Sequence, residues 1–148
     1  MQGLRSIVAI VAGFGFMVST AMVGTILAAA LFIPGGAGSL TTGAVPAALP
    51  AAYFAANFAT SFLGAVFGGW LAARIGAWAP FAHALALAVL TAILSVASTY
   101  QAPSAAQPGW YAIVVGIVGV GGILLGGKLR AAAASSSGAV VAYERPLE

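Results

Sequence analysis

Charge is confined to a few positions in this sequence, and this constrains the fold more than any other feature. Residues 6–73 and 75–127 contain no Asp, Glu, Lys or Arg. A bilayer interior excludes charge over such lengths, because an ionised side chain at its centre costs from about 3 to above 10 kcal/mol. A soluble domain carries roughly a quarter charged residues, whereas this chain has 5% and a mean hydropathy of +1.10. The sequence therefore predicts an integral membrane protein.

Proline and glycine divide the two charge-free stretches into spans. A spanning helix needs about 20 apolar residues, so each stretch holds two spans and a turn. Pro34-Gly35-Gly36 ends the first span, and Arg74-Ile75-Gly76 forms a tight turn between the second and third, because Pro lacks an N–H donor and Gly is conformationally loose. The predicted fold is an all-α membrane domain over residues 1–130, with four transmembrane helices in two antiparallel hairpins. The spans are predicted at about residues 4–33, 51–73, 77–99 and 110–127.

The N-terminus shares features with a signal peptide, since Arg5 precedes a long apolar run. That run, from Ser6 to Ile33, is much longer than the 7–15 residues typical of a signal peptide's apolar region. We therefore expect an uncleaved first span. With four spans, every Lys and Arg falls on the side of the two termini, and the positive-inside rule places both termini in the cytoplasm. These cations are Arg5, Arg74, Lys128, Arg130 and Arg145.

Residues 131–148 are predicted to form a cytoplasmic low-complexity tail. Ala131–Ala134 extends the fourth helix, Ser135–Gly138 is typical of a flexible linker, and Ala139–Tyr143 is a short apolar segment. Such a tail either stays disordered or orders against a partner, and the sequence leaves both interpretations open.

Glycines at helix-packing spacing are the strongest internal pattern. Gly64 and Gly68 form a GxxxG pair in the second span, and Gly122 and Gly126 form another in the fourth. Small residues let helix backbones approach closely, which is a main source of packing energy between apolar helices in lipid. The pattern fits packing within one chain and packing between subunits equally well. Gly116 and Gly119 lie on the same face of the fourth span as Gly122 and Gly126.

Two polar side chains inside the spans are candidate functional residues. His83 is expected roughly 13 Å along the third helix beyond the turn, as a neutral ring hydrogen-bonded to a carbonyl or to a hydroxyl of a neighbouring helix. It is also a candidate axial ligand for haem iron or chlorophyll magnesium, since the spacing from Ala79 resembles pigment-binding spans of bacterial light-harvesting polypeptides, or a proton-handling group. Asn57 is expected to bond across a helix interface or to line a solute path.

Several classes of function find no support in the residues. The chain has no cysteine, which excludes disulfides and thiolate metal sites. Its only acids, Glu144 and Glu148, lie in the tail, so no span holds the carboxylate that cation-coupled antiport uses. There is no phosphate-binding loop and no nucleophile with a base. We expect no enzymatic activity, and five dispersed cations predict no nucleic-acid partner.

Three short segments resemble a widespread group of small bacterial four-span membrane proteins. They are residues 5–14 (RSIVAIVAGF), 68–75 (GGWLAARI) and 126–130 (GGKLR). The resemblance covers residues 4–130 and implies a four-span topology in a bacterial inner membrane. It implies no activity, cofactor or site.

These features favour a non-catalytic accessory or structural subunit of a larger membrane assembly, whose partners are the lipid bilayer and other subunits or copies of itself. One alternative is a homo-oligomeric channel or facilitator for a small uncharged solute, with Thr20, Asn57 and Thr60 along its path. The other is a pigment- or haem-binding subunit that uses His83. A ridge of Phe54, Phe58 and Phe62 on the second span is expected to meet lipid or a neighbouring helix.

Overall fold

A computed structural model describes residues 2–42, 48–100 and 108–143. Within them lie four helices long and apolar enough to cross a membrane, joined by turns and one short helix. The prediction of an all-α chain with four candidate spanning helices is thus confirmed. The helices are α1 (Gln2–Phe32), α2 (Gly38–Thr42), α3 (Ala51–Ile75), α4 (Pro80–Thr99) and α5 (Tyr111–Tyr143).

The turn between α3 and α4 differs from the predicted one. Helix α3 continues to Ile75, and α4 begins only at Pro80 rather than at residue 77. Proline suits the first helical position, because its φ is fixed near the helical value and its missing N–H would be unsatisfied there anyway. His83 is consequently the fourth residue of α4, and the expectation that it lies about 13 Å into the helix was wrong.

Helix α5 is longer than the predicted fourth span. It runs without a break from Tyr111 to Tyr143, so the linker expected at Ser135–Gly138 is helical instead. Alanine has the highest helix propensity, and the Ser135 hydroxyl donates to the carbonyl of Ala131 at 3.2 Å, within the helix. Residues 144–148 of the predicted tail, and residues 43–47 and 101–107 of the predicted loops, lie outside the described residues.

Helix α3 is the centre of the bundle. It packs along α1 on one side and along α5 on another, and α5 in turn packs along α4. Helices α1 and α4 touch sparsely. We call the end of the bundle that carries Arg5, Arg74 and Lys128 the basic end, and the end at α2 and Tyr100 the loop end.

Small side chains dominate the core. The main buried cluster is largely alanine, with one Leu and one Ile, so the helix backbones lie close together. A second buried cluster at the loop end contains Tyr53. The main cluster consists of Ala65, Ala72, Ala84, Leu87, Ala88 and Ile123.

Candidate functional site

His83 lies at the basic end, between the start of α4 and the start of α1. Its Nδ1 is 2.8 Å from the carbonyl oxygen of Ala79, and its Nε2 is 3.1 Å from the hydroxyl of Ser6. A carbonyl only accepts, so in the neutral ring Nδ1 donates to Ala79 and Nε2 accepts from Ser6. Both ring nitrogens therefore have partners, and axial ligation of a metal through Nε2 would require the Ser6 hydroxyl to move away.

The surroundings of His83 fix its ring. The indole of Trp78 meets the imidazole edge to face, with 4.7 Å between the ring centres. A Cβ added at Gly76 would overlap the imidazole, so glycine is required where the turn passes over the ring. On α3 nearby, the Arg74 guanidinium lies 5.0 Å from the centre of the Trp70 ring, in cation–π geometry.

The predicted glycines of α3 face α1. A Cβ at Gly64 would approach the Cβ of Thr20 to 2.9 Å, and one at Gly68 would approach the carbonyl oxygen of Gly13 to 2.7 Å. Real side chains essentially never come this close. The GxxxG pair of α3 therefore holds the backbone of α1 against α3.

The predicted glycines of α5 serve two interfaces within the chain. Gly122 and Gly126 face α3, where a Cβ would meet Ala65 and the backbone of Val66. On the other side, a Cβ at Gly116 would lie 2.7 Å from the Cβ of Ser95 on α4, while one at Gly119 would make an ordinary contact with Thr91. The sequence left open whether these glycines pack within one chain or between subunits. The contacts described here are all within the chain.

Gly69 makes a further close contact of the same kind, which sequence reasoning missed. A Cβ at Gly69 would overlap the backbone of Ile123, so α3 and α5 touch backbone to backbone there. Successive residues point about 100° apart around a helix, so Gly69 faces α5 while Gly68 faces α1. The adjacent glycines Gly68 and Gly69 indicate small surfaces on two faces of α3, but the GxxxG pattern identifies glycines on only one face of a helix.

The polar residues proposed for a solute path are bonded within or between α1 and α3. The Thr25 hydroxyl donates to the amide oxygen of Asn57 at 3.1 Å, across the helix interface. Thr20 donates to the carbonyl of Phe16 at 2.9 Å, and Thr60 donates to that of Ala56 at 3.0 Å. The contact between Thr25 and Asn57 joins α1 to α3, whereas the hydroxyls of Thr20 and Thr60 are bonded within their own helices.

The phenylalanine ridge of α3 meets α5 at the loop end. Phe54 and Phe58 each lie 5.4 Å, centre to centre, from the ring of Tyr111, and both also contact Trp110. Phe62 is partly exposed. Two of the three ridge residues therefore pack on a neighbouring helix.

A groove of about 460 Å³ runs along the outside of the bundle between α4 and α5. We call it the α4–α5 groove. Its floor includes Ser95 and Gly116, and its edges include the exposed side chains of Val96 and Ile117. Gly121 also borders it, and a Cβ there would meet no atom within 4 Å in the part of the chain that the structure describes.

A second space, of about 230 Å³, lies between α1 and α4 and reaches α3 and α5. We call it the α1–α4 cavity. The two helices are joined at the basic end, where Ser6 contacts His83, and the cavity opens beyond that contact. Apolar side chains of α1 form one wall, and hydroxyl-bearing residues form much of the rest. The hydroxyl-bearing residues are Ser61, Thr91, Ser95 and Ser98.

Comparison of the chain with protein-family models, with curated proteins and with solved structures finds no match. In the described part of the chain, three features are not explained by packing within the bundle: the α4–α5 groove with Gly121, the α1–α4 cavity, and the exposed apolar side chains of α1, such as Val11, Met22 and Leu31.

Proposed function

We propose that this chain is a non-catalytic subunit of a larger protein assembly in a bacterial inner membrane. In this proposal one transmembrane helix of another subunit packs into the α4–α5 groove. The chain contributes a tightly packed scaffold and one outward surface, and it keeps charge out of its spans. The proposal rests on the exposed position of Gly121 beside this groove.

The proposed topology follows from the distribution of cations. The chain forms two antiparallel hairpins, α1 with α3 and α4 with α5, and the basic end faces the cytoplasm. Arg5, Arg74 and Lys128 support this orientation through the positive-inside rule. The groove then lies within the apolar zone of the bilayer, where the partner surface is another apolar helix.

Gly121 interrupts a bulky outward row on α5. Ile117 is 67% exposed and Leu125 is 42% exposed, and residues four apart lie one above the other on a helix. Gly121 lies between these two side chains on the same face and leaves a notch. Glycine in a helix interior costs about 1 kcal/mol relative to alanine, and among the described residues no contact offsets that cost at Gly121.

A helix explains this notch better than lipid does. Association of helices in a membrane depends on van der Waals contact, and small residues allow the close backbone approach that such contact needs. A lipid chain is flexible and covers a bulky row as readily as a notched one. The notch at Gly121, beside a floor of Ser95 and Gly116, matches the small-residue surface that a packed helix uses.

The test is the mass of the protein extracted from its native membrane in a gentle detergent. We expect the wild-type chain to carry additional protein mass and Gly121→Leu to lose it while remaining a folded monomer, since a Cβ at position 121 meets no atom of the described residues within 4 Å. Gly15→Leu is the matched control, because Gly15 is also exposed with open space around it, but on α1.

Two results would contradict the proposal. One is a wild-type chain that is always a lone monomer in the native membrane extract. The other is a Gly121→Leu chain that retains the same additional mass as the wild type and as Gly15→Leu.

A further inference from the structure

The α1–α4 cavity is lined by a polar group, the hydroxyl of Ser61, that no described residue of the chain satisfies. Ser61 of α3 lines the cavity and is only 8% exposed. No hydrogen bond joins its hydroxyl to any residue in the described part of the chain, although every fully enclosed side-chain nitrogen or oxygen there has a partner. The Ser61 hydroxyl is therefore open to the cavity.

The position of Ser61 makes this hydroxyl costly if nothing binds it. It lies ten residues after the start of α3, or about 15 Å along the helix, so it is near the middle of the predicted hydrocarbon zone. A hydroxyl moved from water to an apolar environment without a partner is destabilising, because its lost hydrogen bonds to water are not replaced. An occupant that offers a hydrogen bond removes this cost.

The side chains that line the cavity indicate the polarity, charge and size of a molecule that could bind there. On α1 they are the side chains of Phe14, Met17 and Val18, and Leu94 of α4 adds to them. Because residues 6–73 and 75–127 carry no Asp, Glu, Lys or Arg, a charged ligand would find no counter-ion. The space of about 230 Å³ is several times the ~30 Å³ that one water occupies in the liquid.

The cavity opens laterally, between α1 and α4. Helices α1 and α4 are held together at the basic end by Ser6 and His83, and Gly13 approaches Leu87 one to two turns further along. Beyond these contacts the cavity separates the two helices over Phe14 to Ala21 of α1 and Thr91 to Ser98 of α4. The gap thus faces the lipid on the side where the bundle packs least.

We propose that the α1–α4 cavity binds one neutral, largely apolar molecule through a single alcohol or carbonyl oxygen, which hydrogen-bonds to Ser61. The molecule enters from the bilayer, between α1 and α4. Long-chain alcohols and monoacylglycerols have this chemistry, and so do small water-soluble alcohols. The site does not involve Gly121, so its test is independent of the proposed assembly.

The experiment uses the full-length protein in phosphatidylcholine nanodiscs and a photoreactive long-chain alcohol as probe. We expect crosslinks at residues that line the cavity, such as Met17 and Leu94, and competition by unlabelled dodecanol. Dodecane, which lacks oxygen, should compete more weakly. Competition by monoacylglycerol and by hexanol distinguishes a lipid ligand from a water-soluble one. Stronger competition by monoacylglycerol than by hexanol assigns the site to a lipid, and equal competition by the two assigns it to a solute.

Ser61→Ala removes the hydroxyl and leaves the space. We expect this variant to bind dodecanol about threefold to tenfold more weakly, the effect of one hydrogen bond, with dodecane unchanged. Ser19→Ala is the matched control, since Ser19 is exposed on another face of α1, and it should bind as the wild type does. Ala21→Leu, which fills part of the cavity, should weaken both ligands.

The proposal is overturned if Ser61→Ala binds dodecanol as tightly as Ser19→Ala does. It is also overturned if dodecane competes as well as dodecanol, because the cavity would then be an apolar space with no role for the hydroxyl. Should Ala21→Leu fail to fold, the comparison of Ser61→Ala with Ser19→Ala still decides.

Discussion

Gly69 is a position at which the bundle has no room for a side chain. A Cβ there would overlap the backbone of Ile123, which cannot yield as a flexible side chain can. We expect Gly69→Ala to lower the free energy of unfolding by about 1–3 kcal/mol, the usual effect of overpacking. Detergent-titrated unfolding, followed by circular dichroism, measures it.

Gly15→Ala serves as the control for Gly69→Ala. Gly15 has open space around it, so alanine there should leave stability unchanged or raise it by up to about 1 kcal/mol through helix propensity. Equal unfolding curves for the two variants would mean that α3 and α5 do not touch at Gly69.

Residue identity was predictable from sequence only where the spacing itself carries the signal. The pairs Gly64 with Gly68 and Gly122 with Gly126 were recognised, and the structure assigns them to contacts within the chain. Gly69 was not recognised, because a contact between two backbones depends on which helix lies opposite. Ser61 was not recognised either, since an isolated serine in a span ordinarily bonds to its own helix.

At the scale of elements, a polar contact at the basic end joins α1 and α4. The Ser6 hydroxyl and His83 Nε2 lie 3.1 Å apart and join two helices that otherwise touch sparsely. We expect Ser6→Ala and His83→Ala to be non-additive, with a coupling of about 0.6 kcal/mol and no more than about 2 kcal/mol. Unfolding free energies of the wild type, both single variants and the double variant give the coupling.

The double-mutant cycle is needed because each single variant also loses other contacts, such as that of His83 with Trp78. A coupling of zero, with both single variants folded, would contradict the hydrogen bond between the two helices. Asn57→Ala at the α1–α3 interface provides a comparison, since its loss should leave the coupling unchanged.

The end of α1 was predicted to within one residue because proline and glycine set it, whereas the start of α4 at Pro80 was predicted three residues too early. Helix α1 ends at Phe32, just before Pro34 and two glycines with positive φ, Gly35 at 88° and Gly36 at 63°. The end of α5 was mispredicted because Ser135–Gly138 resembles a linker in composition, while the preceding alanines favour continuation of the helix. Composition alone does not decide between these tendencies.

At the scale of the whole molecule, the absence of charge and the positions of the turns predict the four apolar helices. Four apolar helices lie in one bundle, with Arg5, Arg74 and Lys128 gathered at one end. The arrangement around α3 was not predictable, because it depends on how small-residue faces of different helices match. The groove and the cavity are products of that arrangement.

The most direct test of the account is the side of the membrane on which each end of the bundle lies. The chain has no cysteine, so single cysteines can be placed at exposed positions without other changes. Thr41→Cys and Tyr100→Cys mark the loop end, and Ala77→Cys marks the basic end; all three positions are exposed. A membrane-impermeant maleimide applied to intact spheroplasts should label the first two, and should label Ala77→Cys only after the membrane is permeabilised. Labelling of Ala77→Cys in intact spheroplasts, or protection of either loop-end cysteine, would contradict the four-span bundle with its basic end in the cytoplasm.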